Sequence, residues 1–247
     1  PRSTLFPYTT LFRSLENESE QTLSSQLSLF RERALPDLGA NIKCGNSLIG
    51  PDFYEDAQLS LLDDEERYRV NVFDWAREFP FIGAGGGFDA VIGNPPYIRI
   101  QALKEWAPKE VEFYKERYRS ASKGNYDIYV VFVEKGLSLL SERGKLGFIL
   151  PHKFFNAQYG EALRGIIAEG KHLEHVVHFG DQQVFKGATT YTCLMFLCKV
   201  AGDRIVVEKI SDLNEWKNSK KCIQGIVTVD SIQEKEWNFT VGPGTSL

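Results

Sequence analysis

The stretch Phe88-Asp89-Ala90-Val91-Ile92-Gly93 runs directly into Asn94-Pro95-Pro96-Tyr97, and this junction decides the fold. The first six residues form an apolar segment without polar alternation, which is typical of a strand buried on both faces of a parallel sheet. The two prolines end the strand, because proline lacks a backbone N–H and fixes its own φ. Open α/β sheets bind ligands at the carboxyl ends of their strands. The junction therefore predicts a ligand site at residues 94–97.

Strand and helix patterns alternate on the carboxyl side of this junction. Helical patterns cover about 103–118, 127–141 and 155–168, and strand patterns cover 145–150, 173–179 and 190–199. Such alternation predicts a doubly wound α/β sheet. On the amino side, the sequence predicts an amphipathic helix within residues 15–34, a short strand at 41–44 and a turn at Gly45-Asn46-Ser47.

Composition restricts the class of protein. The chain has 247 residues and a net charge of −4, whereas a free-standing nucleic-acid binder usually carries a basic surplus. No stretch contains the roughly 18 apolar residues of a membrane span, so no membrane association is predicted. The cysteines form no C-x-x-C pair and have no histidines at zinc spacing, and the histidines lack a general-base pattern. These observations predict structural thiols, a cytoplasmic location and no metal site.

The Asn-Pro-Pro-Tyr sequence suits one particular reaction. An adenine amine is a poor nucleophile, because its lone pair is delocalised into the ring. The Asn94 side-chain oxygen and the Pro95 carbonyl are two acceptors for its hydrogens, and successive prolines hold that carbonyl rigidly. Tyr97 offers an aromatic face on which an extruded base stacks. The structural alternative is a tight proline turn in which Tyr97 is ordinary packing.

Several motifs, in order along the chain, carry a resemblance to a known family. They are NIKCGNSLIG at 41–50, FDAVIGNPPYIRI at 88–100, KGNYDIY at 123–129 with Phe132, GKLGFILP at 144–151 and VFKGATT at 184–190. Together they resemble the adenine-specific (N6) DNA methyltransferases of restriction–modification systems, over about residues 38–210. The resemblance implies a three-layer Rossmann-like methyltransferase fold and S-adenosyl-L-methionine as cofactor.

The resemblance also implies roles for individual residues. Asn94 and Pro95 would accept hydrogen bonds from the target amine, and Tyr97 would stack on the flipped adenine. Phe185 would close the other face of that base. The cofactor adenine would lie between Pro96 and Phe132 and bond to Asn46, where many relatives carry aspartate. For Phe132 and Phe185, simple core packing is the alternative.

The amino-terminal sequence and the resemblance together predict a division of the chain. Residues 1–14 look like a non-native, adapter-like leader, 15–40 like a helical remnant, 41–210 like the carboxyl-terminal part of a catalytic domain, and 211–247 like the start of a linker to a target-recognition domain. The family's glycine-rich cofactor loop, F-x-G-x-G, has no counterpart here. We therefore expect a fold that is incomplete at its amino end, with an exposed apolar sheet edge, and an isolated chain that is inactive and binds cofactor weakly.

The implied partners are double-stranded DNA and a fused or separate restriction nuclease with its target-recognition domain. One alternative is a protein glutamine methyltransferase, which shares the Asn-Pro-Pro-Tyr motif. Another is a non-catalytic fragment that binds DNA or a partner subunit. The basic stretch 99–123 predicts either phosphate contacts or a solvated helix held by i,i+4 ion pairs.

Overall fold

The structure, a computed structural model, describes residues 41–55, 62–83, 86–185 and 190–239. The chain divides into two units, Pro1–Cys44 and Gly45–Leu247. Residues 41–44 of the first unit have no strand conformation, so the strand predicted there is wrong. The predicted leader at 1–14 and helical remnant at 15–40 lie outside the described residues.

Six strands within the described residues form one mixed sheet in the order β1-β2-β4-β3-β5-β6. Their bounds are Phe88–Gly93 for β1, Leu140–Pro151 for β2, Leu173–His178 for β3, Thr192–Cys198 for β4, Arg204–Lys209 for β5 and Ile223–Thr228 for β6. β1 is parallel to β2, and β4 runs antiparallel between β2 and β3. The carboxyl ends of β1, β2 and β3 consequently lie along the same edge of the sheet.

The helices follow local sequence signals. Their bounds are Asp64–Val70 for α1, Trp75–Glu78 for α2, Pro80–Gly83 for α3, Ile100–Trp106 for α4, Pro108–Arg117 for α5, Tyr129–Ser138 for α6, Glu161–Glu169 for α7 and Leu213–Ser219 for α8. The Asp63 carboxylate begins α1 by accepting from the Glu66 N–H at 2.8 Å, as an N-cap residue does. The single helix predicted at 103–118 is two helices, because Ala107 leaves the helical region immediately before Pro108.

The core lies between the sheet and the helices packed on it. Leu146, Leu150, Met195 and Leu197 are fully buried. Helix α6 approaches β2 closely at Gly136, where an added Cβ would lie 2.4 Å from the Leu146 Cδ1. The carboxyl-terminal turn of α6 therefore packs closely against β2, the strand that neighbours β1.

The outer strands account for two further expectations. β1 is an edge strand among the described residues and Ile92 on it is 87% exposed, so the prediction that residues 88–93 are buried on both faces of the sheet is wrong. The exposed apolar edge itself agrees with the prediction of such an edge. At the other edge, α8 and β6 lie within residues 211–247, where the sequence predicts the start of a linker. The domain boundary itself stays a prediction. The predicted α/β class is confirmed by the sheet and its helices.

Candidate active site

The candidate site lies at the sheet edge where β1, β2 and β3 end. Gly93 is paired with Phe148, so the chain leaves β1 at Asn94 while β2 continues beside it to Pro151. Asn94 is exposed, Pro95 is buried, and Pro96 and Tyr97 are half-buried. The motif thus exposes the side-chain amide of Asn94, whereas the next residue, Pro95, is buried.

Tyr97 is fixed at two points. Its Oη donates to the Ile149 carbonyl of β2 at 3.1 Å, and its ring packs edge-on against Tyr129, with the centroids 6.3 Å apart and an angle of 83°. Burial, followed by the influence of Cys193, raises the pKa of Tyr97 well above its usual value. The phenol therefore stays a neutral donor, and the orientation of its ring is set by β2 and α6.

The chain that follows the motif is tied to the KGNYDIY segment. The Ile128 N–H donates to the Ile98 carbonyl at 2.9 Å, and the Ile100 N–H donates to the Tyr126 carbonyl at 2.9 Å. These bonds bring the motif to the first turn of α6. Phe132 lies three residues after Tyr129 on this helix, hence on a neighbouring face, and is half-buried against the main core. Pro96 and Phe132 are thus placed at the same junction of loop and helix.

Asn46 lies in the predicted turn, but its side chain already has partners. Its Oδ1 accepts from the Leu48 N–H at 3.2 Å, and its Nδ2 donates to the Tyr114 Oη at 3.5 Å. Tyr118, which directly follows α5, donates from its hydroxyl to the Leu48 carbonyl at 2.6 Å. Burial raises the pKa of Tyr114 to about 12. Asn46 is therefore held by its own turn and by α5, and within the described residues its second amide hydrogen has no partner.

Phe185 follows β3 at the same sheet edge and is 37% exposed. Residues 186–189, which complete the VFKGATT motif, lie outside the described residues. Among those that are described, Phe185 and Tyr97 make no ring contact, so the structure brings them to one edge without packing them together.

Two histidines at this edge were not singled out by the sequence. His152 directly follows β2 and His178 ends β3, and their ring centroids lie 4.2 Å apart. The ring of His152 also stacks on Tyr191 at 6.3 Å and 14°. The His178 Nδ1 accepts from the Gly180 N–H at 3.0 Å, which holds the turn leading towards Phe185. The sequence signal that could have identified these two histidines is their position at the carboxyl ends of predicted parallel strands.

The histidine pair is electrically neutral. Burial, then His152 and Lys209, lower the pKa of His178 from 6.5 to about 4, and burial lowers the pKa of His152 as well. Within the described part of the chain, no group of three or more histidine, cysteine or acidic side chains could hold a metal ion. The two rings pack against each other, and His178 stabilises the turn at Gly180.

The basic stretch 99–123 is paired with acidic residues on other elements. Its ion pairs are Lys109–Glu66 at 2.8 Å, Arg117–Asp52 at 3.1 Å, Lys123–Glu161 at 2.8 Å and Arg119–Glu169. All four pairs are at least partly exposed, so each contributes little to stability. Among the described residues, the ion pairs of this stretch join different elements, and no i,i+4 pair within α4 or α5 is present.

No helix among the described residues combines the length and the apolar character that a membrane span requires.

Comparisons with known proteins agree with the order of these motifs. The family model described as Eco57I restriction-modification methylase matches residues 13–185. The type II restriction enzyme and methyltransferase RM.Eco57I of Escherichia coli is 33% identical over 229 residues, which are 92% of this chain and 21% of that protein. The type II methyltransferase M.PaeR7I of Pseudomonas aeruginosa is 40% identical over 100 residues, covering 40% of this chain and 17% of that protein.

One solved structure that this chain matches is the type I restriction-modification system methyltransferase subunit from Streptococcus thermophilus. It has a TM-score of 0.45 and 17% identity, and the match covers 64% of this chain and 37% of that one. This chain spans about a fifth of the length of the curated relatives named above. The mixed sheet and the family match agree with the predicted Rossmann-like methyltransferase fold.

Proposed function

Because this chain belongs to the Eco57I restriction-modification methylase family, we propose that it carries the target-amine site of a DNA methyltransferase that methylates the N6 amine of adenine. The observation that carries the proposal is the Asn94–Tyr97 loop. It presents an exposed amide at the end of a parallel strand, directly before a buried proline and an anchored aromatic ring. The methyl donor in this proposal is S-adenosyl-L-methionine.

Two acceptors would act on the target amine. The Asn94 side-chain oxygen and the Pro95 carbonyl each take one amine hydrogen, which turns the nitrogen lone pair towards the donor methyl group. Neither Pro95 nor Pro96 has an N–H that could compete with the amine. Catalysis of this kind consists of positioning and of preorganised hydrogen bonds, without a covalent enzyme intermediate.

Tyr97 would hold the target base outside the duplex. The amine of a paired base is out of reach, so the enzyme must flip the nucleotide. A half-buried ring that is fixed by Ile149 and Tyr129 provides one stacking face without losing rotational freedom when the base arrives. Phe185, which is exposed after the carboxyl end of β3, would close the second face of the base.

The residues present fit the proposed cofactor. Tyr126 is completely buried, and its hydroxyl has no hydrogen-bond partner among the described residues. Burial, followed by the influence of Tyr114, raises the pKa of Tyr126, so its hydroxyl stays a neutral donor. A buried donor without a partner is the kind of polar atom that a bound polar ligand satisfies. Asn46, Pro96 and Phe132 would hold the cofactor, which supplies an electrophilic methyl group when bound.

Double-stranded DNA is the proposed substrate, in the cytoplasm. A restriction nuclease and a target-recognition domain are the proposed partners, fused or separate. The support for fusion is that one relative is named as both restriction enzyme and methyltransferase.

The test is methyl transfer by the protein expressed from its whole gene. Labelled S-adenosylmethionine is incubated with unmethylated DNA, and the digested nucleosides are separated. We expect label in N6-methyladenine. Asn94→Ala should lower the rate about 10²–10³-fold, the usual effect of losing one preorganised transition-state contact.

The matched control is Asn218→Ala, which removes an exposed amide from α8 and should leave the rate unchanged. Label in cytosine, or only in a protein glutamine, would contradict the proposal. Tight DNA binding without methyl transfer would instead indicate a non-catalytic binding fragment.

A further inference from the structure

Behind Tyr97, three side chains form a hydrogen-bonded chain. The hydroxyl oxygens of Tyr129 and Tyr159 lie 2.8 Å apart, and the Tyr159 hydroxyl donates to the Asp127 Oδ2 at 3.3 Å. The ring of Tyr129 is also the one against which Tyr97 packs edge-on. The chain of polar groups therefore ends on the aromatic ring that supports the proposed stacking residue.

The direction of this chain follows from the number of protons. An ionised carboxylate only accepts, and a phenol has a single proton to donate. Because Tyr159 donates to Asp127, Tyr129 must donate to Tyr159. Burial raises the pKa of Tyr159 to about 12, so the hydroxyl keeps this proton at neutral pH.

The two tyrosines differ in what their loss would leave behind. Tyr129 is completely buried, and Tyr159 is the hydrogen-bond partner of its hydroxyl among the described residues. Removing the Tyr159 hydroxyl leaves a buried donor without an acceptor, which carries the full cost of desolvation. Removing the Tyr129 hydroxyl leaves Tyr159 half-buried and still bonded to Asp127. Loss of the Tyr159 hydroxyl should therefore be costly, whereas loss of the Tyr129 hydroxyl should be tolerated.

We propose that Tyr159 is a positioning residue: it accepts the hydrogen bond of the buried Tyr129 hydroxyl, and without this acceptor the Tyr129 ring would shift and displace the target-base stacking ring of Tyr97 that packs against it. This inference rests on the proposed function. Tyr159 lies in the turn Gln158–Gly160 that precedes α7, 62 positions after Tyr97, and belongs to none of the motifs that carry the family resemblance. It acts through Tyr129 and not by touching the substrate.

The experiment compares four variants of the protein expressed from its whole gene, with unmethylated DNA as substrate. They are Tyr159→Phe, Tyr129→Phe, the double variant with both changes, and the control Tyr54→Phe. Tyr54 loses the same hydroxyl, but its ring contacts are with Phe53 and Arg67. The measurements are kcat and KM for methylation of adenine, the Kd for S-adenosylmethionine, and the melting temperature.

We expect Tyr159→Phe to lower kcat about tenfold, since one buried donor without an acceptor costs about as much as one order of magnitude in rate. The Kd for S-adenosylmethionine should change by less than about twofold. An unchanged Kd would show that a general loss of folded protein does not cause the lower kcat. Tyr129→Phe and Tyr54→Phe should stay near the wild-type kcat. The double variant should regain most of the lost kcat, because replacing both partners by apolar groups is nearly neutral.

Other results would overturn the inference. If Tyr159→Phe has normal kcat, its hydroxyl does not position the site. If the single and the double variants are equally slow, the Tyr159 hydroxyl acts directly on the substrate. If Tyr159→Phe does not fold, recovery of folding and kcat in the double variant supports the inference, and failure of both refutes it. A wild-type protein that methylates no adenine would refute the proposed function itself, whereas active wild type with indifferent variants refutes only the role of Tyr159.

Discussion

Substitution of Tyr97 separates the ring from its hydroxyl, and the structure assigns a different cost to each. Tyr97→Phe keeps the ring and its edge-on contact with Tyr129 but loses the hydrogen bond to the Ile149 carbonyl. One such bond contributes about 1 kcal/mol, which corresponds to about fivefold in rate if it is lost only from the productive geometry. Tyr97→Phe should therefore reduce kcat/KM by about fivefold.

Tyr97→Ala removes the ring as well. Base stacking on an aromatic side chain contributes about 1–3 kcal/mol, and an edge-on aromatic pair adds about 0.5–1.5 kcal/mol. A combined loss of about 1.5–4.5 kcal/mol corresponds to about 10- to 2000-fold in kcat/KM. The alanine defect should thus exceed the phenylalanine defect by at least about twofold.

The assay uses matched duplexes and duplexes with a mismatched target adenine, after the recognition sequence has been mapped by locating the methylated adenines. A mismatched base is easier to extrude, so it should partly restore Tyr97→Ala and affect the wild-type enzyme less. Equal alanine defects on both duplexes would refute the base-flipping argument. Equal defects of the phenylalanine and alanine variants would show that the ring face has no role.

Two further predictions concern stability and can be measured by urea unfolding. Arg164 is 3% exposed, and its guanidinium donates to the carbonyls of Phe154, Ala157, Glu234 and Lys235. Arg164→Met should therefore lower the free energy of unfolding by about 3 kcal/mol or more, whereas the exposed control Arg143→Met should change it by less than about 0.5 kcal/mol. A small effect of Arg164→Met would contradict the inferred anchoring of residues 234–235. The pKa of His178 is about 4 in the folded protein, below the ordinary value of 6.5 that applies to the unfolded chain. Between these two values the unfolded chain binds more protons, so the free energy of unfolding should fall as the pH falls from 6.5 towards 4, by at most about 3 kcal/mol. His178→Gln should flatten that part of the profile, and an unchanged slope would show that other groups cause it.

The fold was predictable where the pattern is local and long. The strands β1 to β4 follow apolar runs that are bounded by turn residues. The parallel directions of β1, β2 and β3 follow from the helices between them, whereas β4 is antiparallel. The break at Ala107–Pro108 was missed by the prediction of a single helix at 103–118, although the residue before a proline disfavours the helical region. The strand predicted at 41–44 is wrong because a short apolar segment does not reveal whether a partner strand exists; the nearby pairing is one isolated bridge between Asn46 and Val72.

The contacts within the site were not predictable in the same way. The position of the Asn94–Tyr97 loop follows from the strand before it, but its partners come from distant segments. Ile149 lies 52 positions after Tyr97, and Tyr114 lies 68 positions after Asn46. Which side chains meet across such separations depends on the packing of whole elements, and a single sequence does not encode that packing as a period or a spacing.

The anchors of the motif explain how an exposed amide can be rigid. Before Asn94, the chain is fixed by the β1–β2 ladder up to Gly93. After it, Tyr97 is fixed to β2 by its hydroxyl, and the backbone at 98–100 is fixed to the segment 126–128. Every anchor lies outside the four residues of the motif, in β2 or at the start of α6. Preorganisation costs nothing at the moment of reaction when it is built into the folded state. Substitutions in these supporting segments should therefore reduce the rate of methyl transfer although they touch neither the base nor the cofactor.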